Sequence, residues 1–161
     1  SKITDPYSDD RIELSLTNIN YGQVFIHGFD MSIYAFLTKR ITTELNASYL
    51  GMQEFYNPLT RDYDPINAPQ YKINSSVSYE SSVGLIAGLN IRYIPRFKWS
   101  AGVFYGTIDQ YFIADANLGY KINNTYSILA NITNLFNDVH REIVGGPELG
   151  RHFTFKVSAT L

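Results

Sequence analysis

The chain has 161 residues, 45% of them hydrophobic and 15% aromatic, with 17% charged and a formal net charge of −2. That length and apolar content exclude disorder and suit one domain, and the lack of a Lys/Arg cluster makes nucleic acid a poor partner. With no Cys, a disulfide framework, a thiolate metal site and a thiol nucleophile are excluded as well.

Charged residues fall below the roughly 25% of ordinary soluble domains, yet no stretch approaches the ~18 consecutive apolar residues of a membrane helix. A chain of this kind that meets lipid must do so as a β-barrel. The opening Ser1-Lys2-Ile3-Thr4-Asp5-Pro6 has no charged-then-apolar leader, so a targeting peptide is expected to be removed or to lie outside this piece.

Period-two alternation predicts about eight strands. The first is expected at 12–18, with Ile12, Leu14 and Leu16 on one side. The second, 23–37, sets Phe29, Met31, Ile33, Ala35 and Leu37 against Asp30, Ser32 and Tyr34. In 41–52, Thr43, Leu45, Ala47 and Tyr49 oppose Thr42, Glu44, Asn46 and Ser48. The strand at 69–79 opposes Tyr71, Ile73, Val77 and Tyr79 to Gln70, Lys72, Asn74, Ser76 and Ser78. At 83–93 the apolar set is Val83, Leu85, Ala87, Leu89, Ile91 and Tyr93, facing away from Gly84, Gly88, Asn90 and Arg92. Next comes 110–122, with Phe112, Ala114, Ala116, Leu118 and Tyr120 against Asp115, Asn117 and Gly119. Tyr126, Ile128, Ala130 and Ile132 form one side of 126–136. The last strand, 151–161, separates Phe153, Phe155, Val157, Ala159 and Leu161 cleanly from His152, Thr154, Lys156, Ser158 and Thr160.

The connections alternate in length. Tight turns are expected at Thr38-Lys39-Arg40, Glu80-Ser81-Ser82 and Asn123-Asn124-Thr125, and long loops at 54–67, 95–107 and 137–150. Outer-membrane barrels pair short periplasmic turns with long outer loops. The connection 19–22 is short where that scheme wants a long one. Aromatics also gather at both ends of the apolar rows: Tyr79, Tyr120 and Tyr126 at the turn end, Phe25, Tyr71, Tyr93, Phe112 and Phe153 at the loop end. Two such rings match the two headgroup layers of a membrane. A soluble β-sandwich alternates too, but it needs neither ring. Three classes therefore stand: a section of a large membrane barrel, a self-contained eight-stranded barrel with a structural or adhesive role, and a soluble sandwich.

Asn134-Leu135-Phe136-Asn137, Gly150-Arg151, Gly28-Phe29-Asp30, Ala68-Pro69 and Ala114-Asp115-Ala116-Asn117-Leu118-Gly119-Tyr120 occur in an order that resembles the C-terminal barrel part of a TonB-dependent outer-membrane receptor. The resemblance implies an all-β fold of antiparallel transmembrane strands, the last part of a 22-stranded barrel. Residues 1–161 would be a single barrel segment, carrying neither plug nor signal peptide. It also implies partners: outer-membrane lipid, a missing N-terminal plug with the remaining strands, TonB through the missing N-terminal region, and a transported nutrient. That nutrient would be a ferric chelate, cobalamin, a glycan or a peptide, taken up across the outer membrane of a Gram-negative cell. Such barrels usually end in Phe or Trp, whereas this chain ends in Leu161.

No enzymatic site and no cofactor are expected. A hydrolase needs Ser, His and an acid in reach, and His27 and Ser75 are separated by the strand at 41–52. His27, His140 and His152 lack metal-ligand spacing. Asp30, Glu44, Lys72, Arg92, Asp115 and Lys156 fall on the inner face, as mutually satisfied charges or as a polar path. The ligand-contact candidates sit in the long loops: Tyr56, Arg61 and Tyr63 in the first, Trp99 in the second, His140 and Arg141 in the third. Rigid aromatics and Arg are common binding anchors, and a solvated or lipopolysaccharide-contacting rim is the plainer alternative.

Overall fold

The computed structural model describes residues 23–160. The strand expected at 12–18 and the connection 19–22 lie outside these residues. Eleven strands follow in order: β1 (Gly28–Phe36), β2 (Ile41–Leu50), β3 (Glu54–Asn57), β4 (Asp62–Pro65), β5 (Tyr71–Glu80), β6 (Leu85–Ile94), β7 (Phe97–Ala101), β8 (Phe104–Ile108), β9 (Tyr111–Lys121), β10 (Tyr126–Thr133) and β11 (His152–Ala159). Seven of them make one antiparallel meander, β1-β2-β5-β6-β9-β10-β11.

The register joins like with like. Tyr49 stands between Phe29 and Tyr71, Leu89 between Val77 and Ala116, and Ala130 between Leu118 and Phe155. One residue along, a single row runs Phe36, Thr42, Ser78, Gly88, Asn117, Asn131, Thr154 across all seven strands. A slip of one residue between any two strands would mix the faces, so the alternation itself fixes the pairing.

Nothing covers the apolar face among the described residues: Phe29 is 63% exposed, Phe155 68% and Val157 64%. Seven strands at ~4.8 Å spacing and ~3.3 Å per residue give a face on the order of 900 Å², above the ~300–600 Å² largest patch of a soluble monomer. A second sheet would have buried it in a sandwich. The sandwich expectation is not met.

The three tight turns close by one device. Thr38 Oγ1 accepts from the Arg40 and Ile41 amides, Ser81 Oγ from Val83 and Leu85, and Asn123 Oδ1 from Thr125 and Tyr126. A short polar side chain at the first turn residue satisfies amides that leave the ladder.

The long connections differ from plain loops. The segments expected as loops at 54–67 and 95–107 fold into the hairpins β3–β4 and β7–β8. The main strands are shorter than the alternation suggested, most clearly β1, which starts at Gly28, and β10, which ends at Thr133. The buried apolar cluster also sits at the loop end: Ile94, Ile108, Tyr111 and Ile113, with Phe97, Trp99 and Val144 packed on it. Ile94 pairs with Tyr111 and Arg92 with Ile113, so all three apolar residues belong to the polar rows. The loops fold in over that end of the polar face and cover them.

Candidate functional site

Above the sheet, the first hairpin carries Tyr56 opposite Tyr63, their rings edge-on with centroids 5.7 Å apart. Arg61 occupies the hairpin turn at φ 57° with its amide 2.9 Å from the Asn57 carbonyl. Buried Asn57 holds that turn, accepting from the Leu59 amide and donating to Asp64. The three sequence candidates of this loop therefore share one exposed hairpin.

The two hairpins are stapled together. Lys98 Nζ lies 2.6 Å from Glu54 Oε1, and Asn67 both donates to the Ser100 carbonyl and accepts from its amide at 2.7 Å. The hydrogen bond to Glu54, with its negative charge, raises the Lys98 pKa above the ordinary lysine value. Trp99, on the neighbouring side of β7, is half-buried against the apolar cluster, which makes it a packing residue of the hairpin.

The third loop is tied down by Asn134, which is 2% exposed with φ 56°. Its amide donates to Asp115 Oδ1 at 2.9 Å, and its side chain makes two bonds to the Asp138 backbone. Asp138 Oδ2 in turn accepts from the Phe112 amide, and Asn137 Oδ1 from the Arg151 amide. The segment Asn134-Leu135-Phe136-Asn137 thus knots the end of β10 to β9 and β11.

This knot lays His140 on Tyr111, stacked with centroids 4.2 Å apart. His140 Nδ1 is 2.7 Å from the Asp138 carbonyl, which only accepts, so Nδ1 carries the proton. Nε2 is buried and has no hydrogen-bond partner among the described residues; the Glu142 carboxylate lies 3.9 Å away. Beside the ring is a cavity of about 320 Å³ bounded by Thr107, Asp109, Gln110, His140, Arg141 and Glu148. Arg141 is paired with Glu148 at 2.7 Å, and Asp109 with Arg96 at 2.8 Å.

Sequence reasoning placed the candidates in loops but not in their groups. Tyr56, Arg61 and Tyr63 share one hairpin, His140 and Arg141 border a cavity, and Trp99 packs from β7 onto the buried apolar cluster. It missed Tyr111, Asp138, Asp109 and Glu148. Tyr111 was findable, since an apolar ring on a polar row announces something folded over it.

On the inner rows, Arg92 and Asp115 form the one ion pair among the six expected charges within the described residues, at 3.5 Å. Glu44 accepts from Asn46 at 2.9 Å. No group of three His, Cys, Asp or Glu residues able to hold a metal occurs among the described residues. Ser75 lies on the apolar face between Leu45 and Ile91, while the His27 ring lies against Gly51, so no Ser–His pair forms.

A family model described as TonB dependent receptor-like, beta-barrel matches residues 2–135. No curated protein matches the sequence. Among solved structures, the ferric enterobactin receptor PfeA of Pseudomonas aeruginosa (mutant G324V) superposes with TM-score 0.65 at 18% identity, over 83% of this chain and 22% of that one. The ferric-catecholate import receptor Fiu of E. coli K12 in its closed form gives 0.65 at 17%, over 83% and 20%. FpvAI, in its complex with pyocin S2, gives 0.67 at 14%, again over 83% and 20%. The chain spans about a fifth of the length of these structures. At such identities the likeness concerns the fold: antiparallel wall strands of a larger barrel.

Proposed function

Because the chain belongs to the TonB-dependent receptor-like β-barrel family, we propose that it supplies wall and outer loops to an outer-membrane receptor that imports a scarce nutrient. The observation that carries this reading is the two-faced sheet: an uncovered apolar face, a polar face, tight turns at one edge and built loops at the other. Main strands of 8 to 11 residues, crossed at a tilt, match the ~25 Å apolar band of such a barrel.

In this reading lipid covers the Phe, Val and Leu rows, and the polar rows face a plug supplied by a longer polypeptide, which also brings the remaining strands and the contact with TonB. Tyr56, Arg61, Tyr63 and Arg141 meet the ligand first, because all four stand exposed on the outer loops. Trp99 and His140 keep those loops in shape. The family is one of receptors.

The names of the similar structures make ferric catecholates the first ligands to try. Cells lacking the parent gene, complemented with it or with an empty vector, should differ in accumulation of labelled ferric catecholate, cobalamin or oligosaccharide, and only while TonB is active. Equal accumulation of all of these in both strains, with the protein present in the outer membrane, would overturn the proposal.

A further inference from the structure

We propose that His140 and Glu142 form a proton-operated latch, which fastens the third loop to the wall strands as the medium turns acid. In the neutral ring Nδ1 donates to the Asp138 carbonyl at 2.7 Å, so the buried Nε2 is left as an acceptor without a partner among the described residues. It faces a second acceptor, the Glu142 carboxylate, at 3.9 Å, and two acceptors cannot bond each other. One proton on Nε2 reverses this. The new N–H points at a carboxylate, the ring gains a positive charge opposite Glu142, and the Asp138 bond is kept. The charged ring also lies over the Tyr111 face, with centroids 4.2 Å apart, where a cation is attracted to the π system. No ligand has to enter for this, and Glu142, 47% exposed, stands beside the ring in contact with the medium that supplies the proton.

Burial opposes a charge on a ring whose side chain is only 6% exposed, so the surrounding charges decide the outcome. On the loop itself stand Asp138, Arg141, Glu142 and Glu148. Asp109 borders the same cavity from the end of β8, and Tyr111 and Asp115 come from β9. Arg141 is neutralised by Glu148, Arg96 by Asp109 and Arg92 by Asp115. Asp138, whose carboxylate accepts from the Phe112 amide, and Glu142 carry the two charges left over. A proton on Nε2 therefore meets a negative field. The latched segment carries Arg141 and walls the cavity of about 320 Å³, and its ties to Asn134 do not titrate. By linkage, anchoring of the loop strengthens as pH falls through the range where imidazoles change charge and slackens as pH rises.

The test is hydrogen–deuterium exchange of the full-length receptor in detergent at about pH 5.5 and about pH 7.5, with labelling times scaled for intrinsic exchange and no nutrient added. Amides of 137–150 should be about tenfold better protected at the lower pH, while those of β10 should not change. Glu142→Ala should leave the loop equally loose at both pH values. His140→Phe, which keeps a ring against Tyr111 but binds no proton, should do the same. Equal protection of the unaltered loop at both pH values, a looser loop at the lower one, or a pH dependence that survives in either variant would overturn the latch. The measurement involves neither TonB nor transport. A receptor whose loop latches but which imports nothing sinks only the transport proposal, and one that imports with a loop indifferent to pH sinks only this one.

Discussion

Asn134 bonds the Asp138 backbone twice, Nδ2 donating to the carbonyl and Oδ1 accepting from the amide, each at 2.9 Å. With the Asp115 bond to its own amide, this residue sets where the third loop leaves β10 and hence where His140 lands. Replacing Asn134 by Ala removes both side-chain bonds, at ~1 kcal/mol each, and leaves a non-glycine, non-asparagine residue in the left-handed region, at ~1–2 kcal/mol. The expected loss is about 3 kcal/mol, read as a lower unfolding temperature of the barrel in detergent. Asn134→Gly, which relieves the backbone but still lacks the bonds, should fall between.

Arg92 and Asp115 sit 3.5 Å apart and partly exposed on the inner face, so their attraction is screened. Arg92→Met should cost on the order of 1 kcal/mol and leave ligand affinity as it was. Asp115 has the second task of accepting from Asn134, so Asp115→Ala should cost more than Arg92→Met, and Asp115→Asn, which keeps an acceptor, should resemble it. Thermal melts of the three variants in one detergent check the order. Lost uptake with an unchanged melt would assign the pair to the transport path.

Most of the sheet was legible because its signal repeats. Seven strands each carry the same alternation, so the pairing Leu89–Ala116 or Ala130–Phe155 follows from matching faces. The Thr38, Ser81 and Asn123 turns were equally plain, each having a capping side chain where the strands stop. The β3–β4 hairpin was not, since four residues such as Glu54-Phe55-Tyr56-Asn57 hold barely two periods and its pairing depends on Asn57 and Asp64. The site was less legible still. The stack of His140 on Tyr111 joins positions 29 apart, through a knot whose geometry is set by one left-handed Asn.

Gly28 and Gly88 predict opposite tolerances. A Cβ on Gly28 would run into the Tyr49 carbonyl, a backbone atom of the paired strand, while one on Gly88 would meet the movable amide of Asn117. Gly28→Ala should therefore splay the end of β1 from β2 and impair assembly. Gly88→Ala should be absorbed by a turn of Asn117, within about 1 kcal/mol. Folding yield into lipid, followed by the gel shift between folded and heated barrel, separates them.

The Lys98–Glu54 staple should be sensitive to alkali. Glu54 raises the Lys98 pKa in the folded protein, so its contribution is complete below the ordinary lysine pKa of about 10.4 and is lost as pH climbs through the raised value. Neutral and mildly acidic pH should leave Lys98 charged. Limited proteolysis of the β3–β4 hairpin should rise above about pH 10.4 in the native protein, and Lys98→Met should show the open pattern already at pH 7. The Asn67–Ser100 bonds do not titrate, so detachment should be partial.

Ala116 and Asn117 are neighbours on β9 at the same height, one on each face. Ala116 lies between Leu89 and Ile132, Asn117 between Gly88 and Asn131. If hydrocarbon covers the first row and the lumen the second, a Lys at 116 must hold its charge near the bilayer midplane, at a cost of ~2–4 kcal/mol. The same charge at 117 has polar neighbours and costs far less. Reversible unfolding in lipid vesicles should show Ala116→Lys destabilised by about that amount and Asn117→Lys nearly unchanged. Equal effects would mean that the two faces see the same solvent, and the membrane reading of the sheet would fail with them.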